Sequence, residues 1–229
     1  MPARFILRLV FVSTSTVLIH PQPSLAADKI QAKPSSQKIA LKPFSAQDEF
    51  SVHSANLRTL MLELYECRPQ ALQKSTKVSK EEFAQWVFEG PFGWKFDAIG
   101  NTQSIEALTL SLSQEYQGDR ILPLITGLYT MTLLAYGGKN EFTFTKIIKP
   151  NNIIIAAKNV EISATKIHTI KNESGELYLN EGCSANAQQK LDVIKNKLFE
   201  DYKAIAKQEP DSSLSSIQTH SNTIEFIQF

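Results

Sequence analysis

The sequence predicts an all-α protein: one orthogonal or bundle-like helical domain of about six helices with a short extended excursion. Three observations lead there. Apolar residues recur at every third or fourth position in successive segments, and polar caps with Gly or Pro stops punctuate those segments. No strand–helix alternation of the kind that builds a parallel sheet is visible. The 229 residues suffice for one large domain or two small ones, and 42% hydrophobic residues suit a globular chain, neither disordered nor multispan.

The first helix is expected after Ser45, with Asp48 and Glu49 in the first turn, where the helix dipole favours acids. Phe50, Leu57, Leu60, Met61 and Leu64 make its core face, His53 lies on the same side as a packed residue, and Arg68-Pro69 ends it just past Cys67. Ser79-Lys80-Glu81-Glu82 has the form of a capping box, opening a short helix with Phe83, Trp86 and Val87 inward that Gly90-Pro91 stops. A third helix fits 102–117, with Ile105, Leu108 and Leu112 on one face and Gly118 at its C′ position.

From Ile121 to Tyr136 no charge interrupts the chain. Pro123 suits a first turn, and Gly137-Gly138 supply a C-cap. The run is short for a bilayer span and three threonines dilute it, so it reads as a central helix surrounded by others. Phe142, Phe144 and Lys146 alternate before Pro150 and give the strand-like or irregular excursion. Helical period returns from Pro150 to Ile167, a turn-rich stretch covers Asn172 to Gly182, and a last helix runs from about Ala185 to Lys207.

The termini give an address. Residues 1–26 read as a signal peptide: Arg4 and Arg8 form a positive start, an apolar stretch runs from Leu9 to Ile19, and Ser24-Leu25-Ala26 offers small residues for cleavage near Ala26. A flexible linker at 27–44, a helical domain at 45–208 and a mobile tail at 209–229 complete the division, with Ile224, Phe226, Ile227 and Phe229 able to dock. The formal charge of +1 falls to the acidic side once the leader is removed, which argues against nucleic acid as a partner. Export to the periplasm also changes how sulphur is read. Cys67 and Cys183 are the only cysteines, so a disulfide is expected. Closing so long a loop stabilises by up to about 4–5 kcal/mol in the chain-entropy picture.

Chemical signatures are sparse. Nucleophile elbows, phosphate loops, dinucleotide fingerprints and metal-ligand spacings are missing, and His53, His168 and His220 stand far apart in the chain. No cofactor is expected. An enzyme would need a cleft assembled by the fold, where Asp119, Arg120, His168 or a glutamate converge. One feature rises above background: Phe83, Trp86, Phe88, Phe92, Trp94 and Phe96 fall within a few turns. Phe92, Trp94 and Phe96 alternate as an extended segment would present them. They make either an aromatic platform for an apolar ligand or partner, or a satellite cluster closing one end of the core. Arg120 has a similar duality, as an anion binder or as part of a salt bridge or cap.

Gly118-Asp119-Arg120, Thr126-Gly127-Leu128-Tyr129, the run Ala135 to Phe142 and Lys158-Asn159-Val160-Glu161-Ile162 resemble a group of uncharacterised exported proteins of Gram-negative proteobacteria. The resemblance covers about the middle half of the mature chain. It implies a periplasmic location and a helical fold, and brings no activity or functional residue with it. The expectation is a non-enzymatic periplasmic binding or scaffold protein of the cell envelope without a stable membrane span, its partner an envelope protein. The alternatives are a carrier of a small apolar ligand held between helices, or an enzyme. Trp86, Phe88, Phe92, Trp94, Phe96 and Arg120 are the candidate surface.

Overall fold

Serine hydroxyls start the first long helices where the caps predict. In the computed structural model, which describes residues 43–171, 174–207 and 225–229, Ser45 Oγ accepts the Asp48 N–H and Ser79 Oγ accepts the Glu82 N–H. The expected signal peptide, nearly all of the 27–44 linker and most of the 209–229 tail, with His220, lie outside the described residues. The order is α1 (Ala46–Cys67), α2 (Pro69–Ser75), α3 (Lys80–Glu89), α4 (Ser104–Leu112), α5 (Ile121–Ala135), β1 (Gly138–Asn140), β2 (Thr143–Phe144), α6 (Pro150–Ile167) and α7 (Glu181–Ala206). The domain is thus all-α, its extended excursion a small antiparallel hairpin of β1 and β2.

Helix α5 is the axis. Every residue of it is buried except Leu134, and it packs against α1, α4, α6 and the hairpin. That is the central helix its uncharged sequence predicts. Gly127 lets α4 come close: a Cβ there would sit 2.7 Å from Leu108 Cγ and 2.8 Å from the Leu108 backbone nitrogen. Of the three threonines of α5 only Thr130 has a hydrogen-bonded hydroxyl, those of Thr126 and Thr132 being buried without a partner. Thr130 Oγ1 donates to the Thr126 carbonyl at 2.6 Å and accepts the Ser104 N–H at 2.7 Å. Helices α6 and α7 run antiparallel, since His168 meets Ser184 and Gln188 while Glu161 meets Lys195.

Cys67 and Cys183 are bonded, with their Cα atoms 6.0 Å apart, tying the end of α1 to the first turn of α7. Among the described residues, no helix is long and apolar enough to cross a membrane.

Five expectations are corrected. Pro69 ends α1 but also begins α2 as a first-turn proline, adding a short helix that makes seven among the described residues. The third helix stops at Leu112 and Gly118 is not its C′ residue, because Arg120 caps the α4 carbonyls from a distance in sequence. Trp86 does not point inward: α3 is short, packs on α1, and buries a stripe of Phe83, Ala84 and Val87. Residues 90–96 form a turn, with Gly93 and Trp94 both at left-handed φ (56° and 61°), not an extended run. The last helix also starts earlier than Ala185, at Glu181, because Asn180 Oδ1 accepts the Cys183 N–H at 2.9 Å.

Candidate functional site

The aromatic segment divides between inside and outside. Trp94 is 5% exposed and stacks on Tyr129 of α5 with ring centroids 3.6 Å apart. Phe88 meets both rings edge-on, at 5.0 Å from Trp94 and 5.8 Å from Tyr129. Phe96 lies against Trp94, partly buried, and Gln103 Nε2 holds the turn by donating to the Gly93 and Trp94 carbonyls, both at 3.1 Å. Trp86 and Phe92 face outward, 44% and 48% exposed. The cluster therefore closes one end of the core, with Trp86 and Phe92 on the surface and Phe92 packed against Phe96 at 5.7 Å.

Arg120 is buried too. Its guanidinium donates to the carbonyls of Ser111 (3.1 Å), Ser113 and Gln114 (3.4 Å), so it completes the C-terminus of α4. The neighbouring Asp119 accepts from Tyr65 and Ser75 hydroxyls, each at 2.6 Å, and from the Ile121 N–H at 2.8 Å. Burial pushes the Asp119 carboxyl up despite those hydrogen bonds. Tyr178 lies beneath both the Arg68 and Arg120 guanidinia, 4.8 and 5.8 Å from its centroid, at the wall of a cleft of about 220 Å³. His168 has partners of its own, Gln188 at 2.8 Å and Ser184. Asp119, Arg120 and His168 thus hold three separate partner sets.

The hairpin end carries a different arrangement. Helices α1, α5 and α7 converge there and bring together Glu49, His53, Tyr136, Lys197 and Asp201. Tyr136 donates its O–H to Asp201 Oδ2, and Lys197 Nζ donates to Asp201 Oδ1 and to Glu49. His53 Nε2 lies 2.9 Å from the Tyr136 oxygen and 3.6 Å from Asp201 Oδ2. With the Tyr136 proton committed to Asp201, the phenol oxygen must accept from His53, which assigns the imidazole proton to Nε2. His53 Nδ1 is buried with no hydrogen-bond partner.

Burial and the Asp201 carboxylate push the Tyr136 phenol far above its ordinary range. Burial also works against the Asp201 carboxylate, but the hydrogen bonds from His53, Lys197 and Tyr136 outweigh it and hold the carboxyl below the usual range. Neither group changes its proton near neutrality, so this pair braces the fold and is not poised for acid–base work.

Above this network lies an open groove of about 480 Å³, with Phe44, Phe142, Phe144, Lys146, Ile147 and Ile205 among its lining. Phe44 forms the floor, its ring stacked over Tyr136 at 6.4 Å. Phe142 and Ile147 stand on the rim, 77% and 74% exposed. They are the most exposed large apolar side chains among the described residues, and they share one groove. The sequence reading sees Phe142 only as part of an alternating stretch and does not single out Ile147. The available signal is four large apolar residues, Phe142, Phe144, Ile147 and Ile148, in a short connection between two core helices, with nothing in the sequence to say which two stay exposed. By contrast, a small, mostly apolar space lined by Leu64, Ile121, Leu124 and Ile167 measures only about 10 Å³, about the room one water needs. No protein-family model matches the chain, and no curated protein or solved structure matches it.

Proposed function

We propose that this is an exported, non-enzymatic binding protein of the cell envelope, and that the rim of the hairpin-end groove is where another envelope protein docks. The observation that carries the reading is the high exposure of Phe142 and Ile147 on one groove, whose floor residue Phe44 stacks on the hydrogen-bonded Tyr136. Apolar anchors on a pre-organised support are what a hot spot requires, since little ordering entropy then opposes association. The Cys67–Cys183 bridge suits the oxidising compartment that the leader and the resemblance to exported proteins imply. The ligand-carrier alternative has less support: a drug-sized ligand needs roughly 300–1,000 Å³ of concave space, and the grooves of that size, about 480 and 490 Å³, lie open at the surface.

In-cell photocrosslinking tests the reading. A benzophenone amino acid replaces Phe142, Ile147 or, as a control, Val193, which is 47% exposed on α7. The expected result is one envelope protein captured from both 142 and 147 and not from 193. Equal capture from all three sites, or none from the rim, contradicts it.

A further inference from the structure

A second groove already holds a peptide, the protein's own. Residues 225–229 lie in the seam between α4 and α6, and Phe226 packs against the core with Lys166 Nζ 5.3 Å from its ring centroid. The main pin is Asn159. This side chain is wholly buried in the middle of α6, where an asparagine has no reason to be for helix propensity or for packing. Its Nδ2 donates to the Ile227 carbonyl and its Oδ1 accepts the Ile227 N–H, each at 2.8 Å. Both bonds go to main chain, so Asn159 recognises an extended backbone whatever side chain is attached.

The seated segment is lightly held. Glu225, Gln228 and Phe229 remain exposed, and Phe226 and Ile227 are only partly buried. Beside it the seam stays open as a cleft of about 490 Å³ between Ile105, Thr109 and Leu112 of α4 and Lys166 of α6. From these features we infer that the α4–α6 seam is a peptide-binding groove. The C-terminal segment occupies it as a tethered competitor. Its outside ligand is an extended apolar peptide of another protein, carrying an aromatic residue one position before the residue that Asn159 pins. This site is separate from the hairpin-end rim, and neither reading depends on the other.

The probe is a synthetic peptide of residues 223–229 with an amino-terminal fluorophore, followed by anisotropy. The full-length mature protein is compared with its Ile227→Pro variant, which removes the N–H that Asn159 accepts and leaves the groove untouched. A tether supplies an effective concentration on the order of 1 mM, so wild type should bind the probe at least about tenfold more weakly than the variant. Adding Asn159→Ala to Ile227→Pro should weaken the probe again by about tenfold. A chain ending at Ile224 provides an independent release. The inference is overturned if the released, folded chains do not bind the probe, or if wild type binds it as well as they do. Loss of the helical far-UV signal in both released forms also overturns it, because a segment the fold requires is not exchangeable.

Discussion

Two aspartates are buried at opposite ends of α1, each accepting a tyrosine O–H, and only one of them meets a cation. Asp201, at the hairpin end, has Lys197 on one oxygen and Tyr136 on the other, with His53 close by. Asp119, at the disulfide end, is met by neutral donors: two hydroxyls and a backbone N–H. The cation next to it in sequence, Arg120, turns instead to the carbonyls at the end of α4. The consequence is opposite in sign, with Asp201 held below the usual carboxyl range and Asp119 pushed above it. At Asp119 burial outweighs the hydrogen bonds, whereas at Asp201 those from His53, Lys197 and Tyr136 outweigh burial.

Neutralising each aspartate separates the two most sharply. Asp201→Asn leaves Lys197 with Glu49 alone and weakens the Tyr136 and His53 contacts, so it should cost about 3 kcal/mol in urea unfolding at pH 7. Asp119→Asn removes an unfavourable charge and keeps an oxygen for the Ile121 N–H, so its cost should stay within about 1 kcal/mol. Equal losses at the two sites would break the comparison.

Removing the phenol donors sharpens it further. Tyr136→Phe deprives both Asp201 and His53 and should cost about 2 kcal/mol. Tyr65→Phe leaves Asp119 with Ser75 and Ile121 and should cost about 1 kcal/mol, read from the same unfolding curves.

The pH profiles should then run in opposite directions. Asp201 has a depressed folded pKa, so its contribution is present above the ordinary carboxyl value and is lost as pH falls through the folded one. Asp119 has a raised folded pKa. Its contribution is present below the ordinary value and is lost as pH rises through the folded one. Stability measured from acid to neutral pH should lose the first slope in Asp201→Asn and the second in Asp119→Asn.

The smallest effect is alkaline. Burial pushes Tyr129 and Tyr178 up to about 12, and it also raises Tyr65 and Tyr136 well above the ordinary tyrosine range. These phenols add stability that is full below the ordinary tyrosine value near 10 and is lost as pH rises through about 12. Phenolate absorbance should therefore lag behind that of the unfolded chain. Full ionisation by pH 11 in the folded protein would contradict the burial of these rings.

Local chemistry was readable from the chain and remote chemistry was not. The Ser45 and Ser79 caps, the core faces of α1 and α6, the all-buried α5 and the left-handed Gly137 after it all depend on neighbours within a few residues. Pro69 misled because the same residue that terminates one helix is well suited to begin another. The end of α4 was hidden because its capping group, Arg120, arrives from beyond the loop. His53 was legible as a packed residue, whereas its partners Tyr136 and Asp201 lie on helices that only the fold brings near. For the site, aromatic density drew attention to Trp94, which Tyr129 buries, and away from Phe142 and Ile147, whose exposure no composition signal reports. Asn159 is legible only once Ile227 is seated on it.

The account rests on this chain reaching an oxidising envelope compartment with its bridge closed, and the intact mass of the endogenous protein tests that directly. The predicted result is a periplasmic chain beginning near Ala27 that gains the mass of two hydrogens on reduction. A cytosolic chain that retains Met1 and two free thiols would contradict it.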